Sequence, residues 1–243
     1  MRGLAMLVMG TIACGRYRFG PLADEQSGDA APGTCAHTFC DDFDRPGPLE
    51  AGWDSVANTG AATLALATDA SVSAPQSFLL SLPAPQLEGG FLVKQLPTAT
   101  TSARIAFRVG YASTNLGTAE VDLVQLQWDT RPTTCTSFGY YLVRDGTGPF
   151  DLQETYGGCG GNANTALPDL GNSGFHSVVM LVTFGAIGTA RVRVEIDGNL
   201  AVDKPTSHAI DPSSLTLRLG GGASRNMTAP WQIRYDDVIV DLQ

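Results

Sequence analysis

The chain has 243 residues, 43% hydrophobic and 16% charged, which is too apolar for a disordered chain and suits one large domain. A formal net charge of -9 excludes a protein built to grip nucleic-acid backbones, because phosphates demand clustered Lys and Arg. With 28 Gly and 14 Pro, the composition calls for many turns.

The chain opens on Met1-Arg2, runs through the apolar Leu4–Ile12 and reaches Ala13-Cys14-Gly15. One basic residue, a short apolar stretch and small residues describe a secretion signal over 1–14, too short to span a membrane. The ending Thr11-Ile12-Ala13-Cys14 resembles a bacterial lipobox, which implies lipidation of Cys14. The rival reading is an ordinary signal peptide cut nearby. The chain is expected to be exported to the cell envelope. Gly15 does not resemble an inner-membrane retention signal, so a Gram-negative host would place it at the outer membrane. Residues 15–34, rich in Gly, Ala, Pro and acids without periodicity, read as a flexible tether. The domain is then 35–243.

Five cysteines are an odd number for an exported chain. With Cys14 set aside as the anchor, Cys35, Cys40, Cys135 and Cys159 are expected to form two bridges between neighbours, Cys35–Cys40 and Cys135–Cys159. In the chain-entropy model the second contributes about 3 kcal/mol and the first less. Zinc is the rival, but these spacings and the three scattered His residues resemble neither a finger nor a ribbon.

Within the domain, Asp41-Asp42-Phe43-Asp44, a Pro/Gly turn and Trp53 come first. Strands are expected at 63–68, 77–82, 91–96, 103–111, 119–128, 138–144 and 150–155. Further strands are expected across 175–198 and at 200–203, 214–219 and 231–241. The clearest is Arg191–Asp197, where Val192, Val194 and Ile196 alternate with charged residues, the mark of a strand with one wet face. Asp197-Gly198 is a type I′ hairpin signal. No segment carries a helical period. The pattern implies an all-β protein, a two-sheet antiparallel β-sandwich of the jelly-roll kind.

Three wordings carry a resemblance: Phe175-His176 leading into alternating hydrophobics, "VRVEIDG", and "LTLRLGGG" at 215–222. With the "DDFD" opening and the closing "WQIRYDDVIVDL", the chain resembles the concanavalin A-like lectin/glucanase superfamily and its laminin-G-like relatives, over roughly 38–242. Phe175 stands where that family usually has Trp. The resemblance implies a concanavalin A-like jelly roll. It also implies that 119–128 and 138–144 lie on the sheet that binds glycans.

Glu120 and Asp122 match the nucleophile and helper of the Glu-x-Asp motif of the family's laminarinase-type glycoside hydrolases. Gln125 stands where the longer form of that motif has its acid/base Glu, and an amide cannot donate the required proton. The motif is broken, so catalysis is not expected from it, and the rival reading makes Glu120 and Asp122 solvent-facing strand residues. Trp128 and Tyr140 are candidate stacking platforms for sugar rings, against the alternative that they are core aromatics. By the resemblance, Asp236 holds a structural calcium, with Asp42 as a second acid; the rival is a set of uncoordinated surface acids. No cofactor is required. His37, His176 and His208 have no nucleophile context.

The expectation is noncatalytic binding of a polysaccharide or glycoprotein glycan, with the lipid anchor as the only membrane contact and no nucleic-acid partner. Two alternatives stand beside it: a glycoside hydrolase or polysaccharide lyase of the same fold, and a structural or adhesion envelope protein without sugar specificity.

Overall fold

A computed structural model describes residues 35–84, 89–98, 101–111, 120–129, 137–145, 150–157, 162–171, 174–207, 209–210, 214–223 and 227–243. The signal, Cys14, the tether, His208 and the Cys135–Cys159 pair lie outside them. The strands in chain order are β1 (Phe39–Asp41), β2 (Ser55–Thr59), β3 (Thr63–Ala67), β4 (Ser77–Leu82), β5 (Gly89–Leu96), β6 (Ser102–Tyr111), β7 (Glu120–Asp129) and β8 (Ser137–Asp145). They continue as β9 (Phe150–Gly157), β10 (Asn162–Leu167), β11 (Phe175–Thr183), β12 (Arg191–Ile196), β13 (Asn199–Pro205), β14 (Ser214–Ala223) and β15 (Trp231–Leu242). Among the described residues there is no helix.

Two antiparallel sheets result. The eight-stranded sheet runs β13-β12-β11-β6-β15-β4-β3, with β1 beside the C-terminal half of β15. The seven-stranded sheet runs β10-β9-β8-β7-β14-β5-β2. This is the expected all-β jelly-roll sandwich. The 175–205 stretch forms β11, β12 and β13 in succession, and Asp197 and Gly198 both take positive φ (49° and 74°), as a type I′ turn requires.

The core lies between the sheets. Ala103, Ile105 and Phe107 of β6 lie opposite Val182, Met180 and Val178 of β11, all essentially buried, while the other face of β6 carries Arg104 and Arg108. Each such large side chain contributes about 1.5–3 kcal/mol through apolar burial. Trp231, Tyr235 and Phe78 complete the centre.

Two strands were not expected, β2 and β10. Both are edge strands: β2 is almost wholly exposed, and β10, half exposed, puts only Ala163, Thr165 and Leu167 on its inner phase, so neither carries the run of large apolar residues that announces a strand.

The opening motif proves structural. Asp41, 7% exposed, accepts the Trp53 indole N–H at 2.7 Å, the Phe43 amide at 2.9 Å and an Arg45 Nη1 bond at 2.5 Å. One carboxylate thus closes the loop between β1 and Trp53. Cys35 and Cys40 are joined by a disulfide, as expected.

Candidate functional site

The outward face of the seven-stranded sheet gathers a row of polar side chains, and an irregularity in β7 makes the row. Along β7, Val124, Leu126 and Trp128 point into the core, so Gln125 and Gln127 point outward. Regular alternation would place Asp122 and Gln125, three residues apart, on opposite faces. Instead, the pairing to β8 steps from Asp122↔Val143 to Val124↔Leu142, leaving Leu123 as an extra residue. That β-bulge brings Asp122 and Gln125 to one face. The Gln125 amide donates to Asp122 Oδ2 at 3.1 Å, and Gln127 Nε2 donates to Gln125 Oε1 at 3.2 Å.

Cross-strand register extends the row. Gln125 sits between Tyr141 of β8 and Arg218 of β14. Beyond Tyr141 comes Gln153 of β9, 7% exposed, whose Oε1 accepts from Thr155 Oγ1 at 3.2 Å. Gln127 Nε2 also donates to the Tyr141 hydroxyl oxygen at 2.7 Å. That bond uses an oxygen lone pair and leaves the phenolic proton for another acceptor. The Arg218 guanidinium lies 4.3 Å from the centre of the Phe91 ring, a cation–π contact that fixes its plane.

Burial pushes the Tyr141 phenol above its ordinary value; the Gln127 bond and the Arg218 charge oppose this, and Asp122 adds to it. Burial lowers Arg218, offset by Tyr141 and Asp122. Tyr141 therefore carries its proton at neutral pH, beside a partly desolvated cation. The arrangement can hold an anionic or hydroxyl-rich ligand on the amides and guanidinium, and it can donate a proton.

Of the five residues expected to bind sugar, Asp122 and Gln125 are brought together here. Glu120 opens β7 with its backbone opposite Asp145, and its side chain lies outside the described residues. Trp128 corrects the expectation. It is 3% exposed and shares its inward phase with Leu126, so its ring packs in the core and offers no face to a sugar. Tyr140 pairs with Leu126 and Glu154, and its side chain too is outside the described residues. Arg218, Gln127 and Gln153 went unnoticed in the sequence. Arg218 had one signal, a lone cation between Leu217 and Leu219 in an otherwise uncharged strand.

Asp236 is fully buried, and its oxygens already accept four bonds. Val72 N at 2.6 Å and Ser73 N at 3.2 Å reach Oδ2; Ser73 Oγ at 3.0 Å and Asp237 N at 2.9 Å reach Oδ1. These donors take the lone pairs a calcium ligand would use. Asp42 stands exposed, with Oδ1 on the Asp44 amide at 3.0 Å. Among the described residues no cluster of three or more His, Cys, Asp or Glu is placed to hold a metal. Asp236 anchors the 72–73 backbone instead. His37 and His176 each face an aspartate, Asp241 at 2.7 Å and Asp197 at 2.8 Å.

Burial, outweighing the bonds from Val72 and Ser73, raises Asp236 to about 7. The folded state thus holds a proton that the unfolded chain, with an ordinary Asp near 3.9, has released. Stability from this group is present below about 4 and lost as pH rises towards about 7. Melting temperatures measured across that window should fall with pH in the wild type. Asp236→Asn should be less stable overall, through lost acceptors, but with a flatter pH slope; an unchanged slope would show that Asp236 does not titrate there.

No family model matches the chain, and no curated protein matches it in sequence. Solved structures do resemble it. Endo-β-1,4-glucuronan lyase from the fungus Trichoderma reesei aligns over 85% of this chain and 96% of its own, at 13% identity and a TM-score of 0.67. The cellulose-induced protein Cip1 aligns over 83% and 96%, at 14% identity and 0.60. Alginate lyase vAL-1 from Chlorella virus aligns over 79% and 93%, at 7% identity and 0.58. At such identities the likeness is one of fold: the chain is a jelly-roll β-sandwich of the architecture these proteins share.

Proposed function

We propose that this protein acts on a polysaccharide at the outward face of the seven-stranded sheet, and that its chemistry is β-elimination on a uronic-acid chain. The observation that carries this reading is the row Asp122, Gln125, Tyr141 and Arg218, which sets a cation, an amide, a carboxylate and a protonated phenol side by side. The polysaccharide lyases among the fold's neighbours support it. Glycoside hydrolysis by the Glu-x-Asp route finds no support, because the acid/base position holds Gln125, an amide that cannot give up the required proton and that directs one of its two N–H groups at Asp122. Elimination needs no such carboxyl pair.

In the proposed reaction, Arg218 and the Gln125 amide hold the uronate carboxylate and draw off charge as the neighbouring C–H ionises. The Asp122 carboxylate takes that proton. The electron pair forms the ring double bond, the glycosidic C–O bond breaks, and Tyr141 protonates the departing oxygen. Solvent returns a proton from Asp122 to the phenolate.

Incubation with glucuronan, alginate and a neutral β-glucan, followed by ultraviolet absorbance of unsaturated products, tests this directly. Product from a uronate polymer and none from the neutral glucan is the expected result. Arg218→Ala should weaken uronate binding about tenfold or more, as expected for a charge-assisted hydrogen bond, and should remove most of its salt dependence. The second reading is noncatalytic glycan binding, favoured by the amides Gln125, Gln127 and Gln153, which hydrogen-bond hydroxyls without moving protons. Retention on uronate polymers without product would establish it; silence in both assays would overturn both readings.

A further inference from the structure

We propose that Tyr235 is a positioning residue for this site: from the opposite sheet, its hydroxyl holds the two strand irregularities that set Asp122 and Gln125 on one face. What the site does rests on the reading above; that Tyr235 shapes it does not.

Tyr235 belongs to β15 in the eight-stranded sheet and is 0% exposed. Its hydroxyl crosses the core to two backbone carbonyls of the seven-stranded sheet, Leu123 O at 2.9 Å and Gly220 O at 2.5 Å. Both carbonyls belong to residues skipped where β7 pairs with its neighbours, although Gly220 stays in register with Phe91 of β5 on its other side. Leu123 is the extra residue of β7 against β8, between Asp122 and Val124. Gly220 lies in the irregular step of β14 against β7, between Leu219 and Gly222. A bulged residue is left out of the ladder, and a buried carbonyl without a donor is costly. One phenolic proton, shared between them, meets that need for both strands at once.

The ring is fixed in turn, stacked on Phe78 at 5.6 Å and tilted against Phe107 at 6.2 Å. Without the hydroxyl, the bulge on β7 loses the donor that favours it over regular pairing. A register that absorbed Leu123 would return Asp122 and Gln125 to opposite faces and dissolve the bond between them.

The test compares Tyr235→Phe, which removes only the hydroxyl, with Phe78→Leu, which loosens the same ring but leaves the hydroxyl. Both should lower the melting temperature. The readout that separates them is the pH titration of Tyr141, followed by NMR of ring-labelled tyrosine and assigned with Tyr141→Phe. Its phenol senses Asp122 directly. Tyr235→Phe should shift that titration by about half a unit or more and cut uronate affinity or turnover about tenfold; Phe78→Leu should do neither. If Tyr235→Phe does not fold, 4-fluorophenylalanine at 235 fills the hydroxyl's space without a proton to donate, and the Tyr141 titration should still move. Equal effects in the Tyr235→Phe and Phe78→Leu variants, or no movement of Tyr141, would overturn the proposal. A wild type silent on every polysaccharide would defeat the functional reading alone, because the titration is read without substrate.

Discussion

Tyr141→Phe leaves the protein folded and reduces elimination by at least about a hundredfold, the usual yield of a positioned general acid. The ring stays, so packing against the sheet is kept. What goes is the acceptor for Gln127 Nε2, at 2.7 Å, and the only proton the side chain can give. The loss from that hydrogen bond is about 1 kcal/mol of stability. Substrate affinity should change little, because Arg218 and Gln125 remain to hold the carboxylate. The signature is a fall in kcat with KM nearly unchanged. Because burial raises the Tyr141 phenol, the alkaline limb of the wild-type pH profile should lie above the ordinary phenol value of about 10. A variant that keeps full turnover would remove Tyr141 from the mechanism and require another proton donor for the departing oxygen.

Gly220→Ala should be the most damaging single exchange at the sheet that carries the site. Gly220 takes a φ of +152°, which L side chains rarely adopt, and an added Cβ would fall 2.1 Å from the Gly90 carbonyl oxygen of β5. The obstacle is backbone, so β5 and β14 must part for the methyl to fit. A loss of about 3 kcal/mol or more is expected, read as a shift in denaturant midpoint. Gly188→Ala is the control. It also has a positive φ, +85°, but nothing lies within 4 Å of its Cβ, so it should cost about 1 kcal/mol. Equal losses in the two variants would mean that conformation, not the clash with β5, decides the effect.

Much of the architecture was legible from local pattern. The alternation of Val192, Val194 and Ile196 with charged neighbours identified β12, and Asp197-Gly198 identified the turn after it, because strand phase and turn conformation are set by adjacent residues. β2 and β10 stayed hidden because an exposed edge strand buries too little to leave a pattern. Trp128 was misread although its phase was there to see: Val124, Leu126 and Trp128 fall on one side and Gln125 and Gln127 on the other, and the apolar side is the one that packs.

The sequence by itself determined that this is an all-β sandwich, where most of its strands lie, and that Asp122 and Gln125 belong to one of them. Only the tertiary structure decided that the two share a face. That depends on Leu123 being left out of the pairing with β8, which no local preference of "EVDLVQ" dictates. It likewise decided that Arg218 and Tyr141 flank Gln125, through register between strands far apart in sequence. Strand identity follows from period-two burial within a few residues, whereas a site assembled across four strands follows from register and bulges, and those are settled only when the two sheets close on a common core.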